Sequence, residues 1–277
     1  MLRLIQYIIA PWLAATLVFG IAGCDSTGAG SDALQADENW ISLFDGQTLD
    51  GWTTKIVGYP AGEDPLETFR AKDGVLYISY DKYGGRLDSR FAHLFYKDPF
   101  KAYHLSLEYR FVGEETMNDP PKRKPYNSGV LYHSESPQRM KLNQPFPISN
   151  EAQLLATIPD GDHVRYTGSA CGMGTLVSTG GNEPVECADS VVPERPQGQW
   201  AHFELEVRPD GHVTHWIDGI EAASFDELVL DTSDPRFPSQ ELIDEQNGDR
   251  VLRNGYIALQ AEGHSVEFRD IKIKLLE

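Results

Sequence analysis

His202-Phe203-Glu204-Leu205-Glu206-Val207-Arg208 runs into Pro209-Asp210-Gly211 and returns as His212-Val213-Thr214-His215-Trp216-Ile217. Phe203, Leu205 and Val207 alternate with charged residues, and a period of two marks a strand with one buried face. Proline presets φ for a turn and Asp-Gly tolerates the left-handed backbone of a tight reversal, so the two arms predict an antiparallel hairpin. Asp218-Gly219 turns the chain again. His202, His212 and His215 read as sheet-surface residues, and Trp52, Trp200 and Trp216 as core or edge packing.

The same pattern extends in both directions. Residues 104–111 alternate, with Leu105, Leu107, Tyr109 and Phe111 on one face. Residues 69–78 form a hairpin about Asp73-Gly74, and Asp45-Gly46 turns between apolar residues near the start. Segments 127–133, 151–155, 256–262 and 266–276 have strand composition. Segments 117–125 and 138–147 read as loops. Segment 225–248, acidic and interrupted by Pro235 and Pro238, reads as a long surface insertion with room for a short helix. No stretch holds a helical period. Short strands between Gly and Asp turns predict an all-β, two-sheet antiparallel sandwich or jelly roll, a single domain over residues 39–277. The strands near Ile41 and Leu275 are expected to be neighbours.

The chain has 277 residues, 40% of them hydrophobic, and a formal net charge of −18. That supplies a core for one all-β domain. Phosphate binding needs clustered Lys and Arg, so nucleic acid is excluded as a partner. Residues 1–23 stand apart: Arg3 precedes an apolar run that closes on Ile21-Ala22-Gly23-Cys24, the pattern of an export signal. The ending resembles a bacterial lipobox, which implies lipid attachment at Cys24 after cleavage before it. Residues 24–38 then read as a flexible tether. The expectation is a protein of the bacterial cell envelope, periplasmic or on the cell surface, held to a membrane through its lipid alone. In that oxidising setting Cys171 and Cys187 are expected to form a disulfide, worth about 3 kcal/mol in the chain-entropy model.

Polar chemistry concentrates in residues 127–155. On alternating strands Glu151 and Gln153 face one way, as do Asn127, Leu131 and His133, while Ala152 and Leu154 face a core. A carboxylate, an amide and an imidazole on one sheet face suit a polar ligand, or simply solvent; this stretch alone leaves both open. No metal-type Cys or His spacing is present. Loop aspartates could hold a structural calcium, but no spacing compels one.

Leu43-Phe44-Asp45-Gly46-Gln47-Thr48-Leu49-Asp50-Gly51-Trp52 resembles the opening block of a bacterial family first catalogued as a domain of unknown function, DUF1080, and described as 3-keto-disaccharide hydrolases. Asn127-Ser128-Gly129-Val130, Glu151-Ala152-Gln153-Leu154, Gly255-Tyr256-Ile257-Ala258-Leu259-Gln260 and Phe268-Arg269-Asp270-Ile271 match its later blocks in order. The resemblance implies a concanavalin A-like jelly roll and an exported enzyme acting on glycosides oxidised at C3; no cofactor is expected. The chain departs from the family at His133, where Arg is usual, at Ala156, where Asp is usual, and at Cys171 after Thr167-Gly168, where Tyr is common.

A 3-keto group acidifies the C2 proton, because the carbanion is delocalised as an enolate. A base removes that proton, the C1 substituent leaves by elimination, and water adds back. Glu151 is the candidate base. Gln153 would orient the sugar or donate to the enolate oxygen. Asn127 and His133 are candidates for sugar hydroxyls or the leaving-group proton, and Arg110 for the oxyanion. Gln260, Glu262 and His264 are further substrate-binding candidates. A plain carbohydrate-binding module remains an alternative. So does a conventional glycoside hydrolase, which needs Glu262 near Glu151 to supply a second acid.

Overall fold

The computed structural model describes residues 39–113, 126–159, 161 and 163–277. The hairpin forms as Ala201–Val207 and Val213–Ile217, with Phe203 opposite Ile217 and Val207 opposite Val213. Asp218 (φ 51°) and Gly219 (φ 75°) then turn the chain into Ile220–Phe225. These three strands open an eight-stranded antiparallel sheet that continues through Tyr103–Phe111, Val266–Leu275, Val75–Ile78 and Phe69–Lys72. Ile41–Ser42 also pairs with Val266–Leu275, Ile41 opposite Ile273, so the two ends of the domain are neighbours as expected.

A seven-stranded antiparallel sheet runs in the order Cys187–Ala188, Ala170–Met173, Ser149–Leu155, Asn127–Ser134, Tyr256–Ala261, Ala92–Tyr96, Trp52–Ile56. Leu105, Phe203, Leu205 and Phe268 of the first sheet share one buried cluster with Val130, Ala152, Leu154 and Leu259 of the second. The fold is thus an all-β, two-sheet antiparallel sandwich of jelly-roll type. Strand Asn127–Ser134 is buried at every position, so its second face must be covered too. The loop over residues 135–148 does this: Met140 packs with Phe95, Leu131 and Ala258 on the side averted from the main core. Glu135 fixes that loop by accepting from Gln144 Nε2 (2.6 Å) and Ile148 N (2.8 Å).

Two local expectations need correcting. Residues 225–248 are not only surface loop. Glu227–Leu230 forms a strand that pairs with Thr175–Ser178, while Gln240–Glu245, the one helix among the described residues, falls where the sequence left room for it. His215 is not on the surface: it is fully buried at a register shift between His215 and Trp216. Its Nδ1 lies 2.9 Å from Gly168 O and its Nε2 2.9 Å from Tyr132 Oη. A carbonyl can only accept, so Nδ1 carries the proton, and Nε2 lies beside the Tyr132 hydroxyl, which donates to Asn150 Oδ1 (2.9 Å). The leader, the tether, Cys24 and the 117–125 loop lie outside the described residues. Among those described, no helix is long and apolar enough to cross a membrane.

Candidate active site

Strands Ser149–Leu155 and Asn127–Ser134 pair with Gly129 opposite Gln153 and Leu131 opposite Glu151. Tyr256–Ala261 lies on the other flank, Leu259 opposite Val130. Since Val130, Ala152, Leu154 and Leu259 enter the core, alternation turns Gly129, Glu151, Gln153 and Gln260 to the averted face. Glu151 is 1% exposed. It lies across Gly129 so closely that a Cβ built there would sit 2.7 Å from the Glu151 Cγ. With its amide nitrogen turned toward the carboxylates, Gln260 donates to Glu151 Oε1 and Glu262 Oε2, both at 3.1 Å. Asn127 Nδ2 donates to the same Glu262 oxygen at 2.7 Å. Ser128 Oγ, bonded to Gln260 O (2.7 Å), pins the two central strands. A buried carboxylate is tolerated only when hydrogen bonded; the Gln260 amide serves Glu151, and Gln260 and Asn127 together serve Glu262. Gln153 and Glu262, both half-buried, mark the solvent end of the row.

Past Gln260 the same face carries residues that sequence reasoning missed. His93 stands directly opposite Gln260, and Lys55 directly opposite His93. Lys55 is 2% exposed, its Nζ donating to Ile56 O (3.0 Å) and Leu142 O (3.1 Å). A lysine in a strand reads as a solvated residue, so only the loop that caps it reveals the burial. On the other flank Cys171 pairs with Glu151, and Cys187 with Cys171. The expected disulfide joins the two cysteines.

The structure brings Glu151, Gln153, Asn127, Gln260 and Glu262 onto one face and leaves three other candidates elsewhere. His133 has φ +47° where the pairing with Tyr256–Ala261 slips, and Gly255 is packed so tightly against its backbone that a Cβ would not fit. The slip breaks the alternation: His133 lines clefts with Lys101, Arg208 and Leu252, or with Glu135, Arg139 and Tyr256. Arg110 belongs to the eight-stranded sheet, where its Nε donates to Glu267 (2.6 Å) and its guanidinium lies over Trp200 at 4.5 Å. His264 follows the Gly263 turn and is buried against the rings of Tyr126 (4.1 Å) and Phe111 (5.7 Å). Among the described residues no group of three or more His, Cys, Asp or Glu is arranged to hold a metal ion.

The family profile described as the 3-keto-alpha-glucoside-1,2-lyase-like domain matches residues 39–274. The chain belongs to this family. A 3-keto-disaccharide hydrolase of Bacteroides thetaiotaomicron is similar to this chain at 24% identity, covering 89% of this chain and 82% of the relative. Two crystal structures described as candidate glycosyl hydrolases, both from Parabacteroides distasonis ATCC 8503, are similar to this chain at 18% identity. One covers 87% of this chain and 95% of its own with a TM-score of 0.51, the other 86% and 99% with 0.48. At Ala156, where family members usually carry Asp, the lyase-like domain buries a methyl group in the core, and the backbone carbonyl accepts from Arg165.

Burial also fixes an acid response. It pushes His93 down to about 3, with Lys55 adding to the effect, and His133, His215 and His264 down to about 4. Unfolded histidines titrate near 6.5, so between pH 6.5 and 4 the unfolded chain binds more protons than the native one. The stability these residues contribute is complete above pH 6.5 and is lost as pH falls toward 4. Calorimetry of the protein should show Tm falling by about 10 °C or more from pH 7 to pH 5. An unchanged Tm would mean that these rings are not buried.

Proposed function

We propose that this protein cleaves 3-keto-glycosides, with Glu151 as the base that removes the C2 proton. One observation carries this reading: the Glu151 carboxylate, buried across Gly129, shares the Gln260 amide with Glu262 on the face averted from the core. Family membership and the similarity to a 3-keto-disaccharide hydrolase support the substrate class. In the reaction Glu151 takes the C2 proton, electrons move into the C3 carbonyl, and the C1–O bond breaks. The departing oxygen takes a proton from Glu262 at the rim, and water then adds to the unsaturated sugar. Acid–base positioning of this kind contributes about 10²–10⁴-fold to the rate. Gln153 and Asn127 sit beside the carboxylates to hold sugar hydroxyls.

The same reading keeps Cys24 as a lipid attachment point and the bacterial envelope as the place of action. The half-exposed Cys171–Cys187 disulfide suits an oxidising compartment. A conventional glycosidase mechanism is favoured by one observation only. Sharing one amide nitrogen puts oxygens of Glu151 and Glu262 no more than roughly 6 Å apart, close to the ~5–5.5 Å of retaining carboxyl pairs. Matched glucosides and 3-keto-glucosides separate the readings. Cleavage of only the oxidised set is expected; cleavage of the unoxidised set would replace the proposed mechanism, and cleavage of neither would leave a binding module.

A further inference from the structure

We propose that His93 is a further catalytic residue of this site, its imidazole donating a hydrogen bond to the C3 oxygen of the sugar as the enolate forms. This rests on the 3-keto-sugar reading and assigns the oxyanion role within it. Position comes first. His93 and Gln260 are directly opposed in register, which puts their Cβ atoms about 4.5–5.5 Å apart on one face. Gln260 in turn holds both Glu151 and Glu262. His93 therefore adjoins the amide that joins the two carboxylates.

The second point is an unmet hydrogen bond. His93 is 1% exposed, and its Nε2 has no hydrogen-bond partner. A buried polar atom left unpaired destabilises a fold and calls for an explanation. Nothing around it offers one. The rings of Phe146 and Phe95 stand 5.8 and 6.2 Å from the imidazole, and the neighbouring Lys55 is engaged with two backbone carbonyls.

The third point is charge. Burial and the Lys55 ammonium both oppose a second proton on His93, so the ring is a neutral donor. It cannot protonate the enolate prematurely, but it can hold the oxygen's growing negative charge. Lys55, one strand further on, adds a positive field on the side away from the two carboxylates. Glu151 cannot donate while ionised, the Glu262 proton goes to the departing oxygen, and Arg110 is on the other sheet. His93 is the neutral ring donor next to the Glu151–Gln260–Glu262 row.

The test uses the intact protein with His93→Phe, which keeps a flat ring, and His93→Gln, which keeps an N–H donor. On a 3-keto-glucoside, His93→Phe should lower kcat about 10²–10³-fold with KM changed only a few-fold. His93→Gln should recover at least about tenfold of that loss. In parallel, the ¹⁵N resonances of His93 in the unmodified protein should shift when 3-keto-glucose is added. That measurement still decides the matter if His93→Phe fails to fold. Full rate in His93→Phe, or an unmoved ¹⁵N signal at saturating sugar, overturns the role of His93 while leaving the enzyme reading in place. If the unmodified protein neither cleaves 3-keto-glucosides nor binds 3-keto-glucose, the enzyme reading falls, and this inference with it.

Discussion

Replacing Glu151 by Gln should lower kcat/KM on a 3-keto-glucoside by about 10²–10⁴-fold while leaving sugar affinity within a few-fold. The substitution is isosteric. A glutamine at 151 keeps an oxygen that can accept from Gln260 Nε2, so the 3.1 Å hydrogen bond that the turned Gln260 amide makes has a neutral substitute. What disappears is the ability to take a proton. The variant should also stop exchanging the C2 hydrogen of a 3-keto sugar with D₂O, a readout that needs no bond cleavage. A Glu151→Gln protein that still exchanged that hydrogen at the original rate would remove Glu151 from the mechanism, leaving it as a buried structural acid.

Gly129→Ala should give a protein that folds but barely turns over. The added methyl would lie 2.7 Å from Glu151 Cγ and 2.8 Å from its Cδ, and the atoms in conflict belong to a side chain, not the backbone. Gly129 does not adopt a positive φ, so alanine meets no backbone strain there. The carboxylate swings aside instead and loses its alignment over the sugar. Tm should move by no more than about 5 °C, as for a mild packing change. kcat/KM should fall about 10²-fold or more, since a base displaced by an ångström loses most of its advantage. The two substitutions combined should cost little more than either alone, because both remove one function. A large loss of Tm would mean that the strand, not the carboxylate, gave way.

The sequence was legible where one strand face is buried and the other is wet. The alternation of Phe203, Leu205 and Val207 with charged residues located the hairpin, and the structure supplies its register. Likewise, Ala152 and Leu154 facing the core implied that Glu151 faces away from it. Alternation does not say which sheet a strand joins, however. Arg110 sits on a cleanly alternating strand, yet it belongs to the eight-stranded sheet. Nor does it survive irregular backbone. His133 at φ +47° leaves the face that a strict period assigns it, whereas His215 keeps the buried face of Val213 and Ile217 and was misread from its polar side chain alone. The Lys55–His93 pair was illegible for a third reason, because its cover comes from a loop more than forty residues downstream in the chain. Glu227–Leu230 was hidden in acidic, proline-broken sequence, and what makes it a strand is its partner Thr175–Ser178.

The short outer strand Cys187–Ala188 bears on how the protein behaves in a crowd. An open sheet edge displays unpaired amide and carbonyl groups that can recruit another chain, and long flat edges seed aggregation. Here the edge is two residues long and is bolted by its cysteine to Ala170–Met173. Severing that bolt would let the rim peel back and bare a longer strand as a template, so a reducing agent should turn a monodisperse solution into one that self-associates.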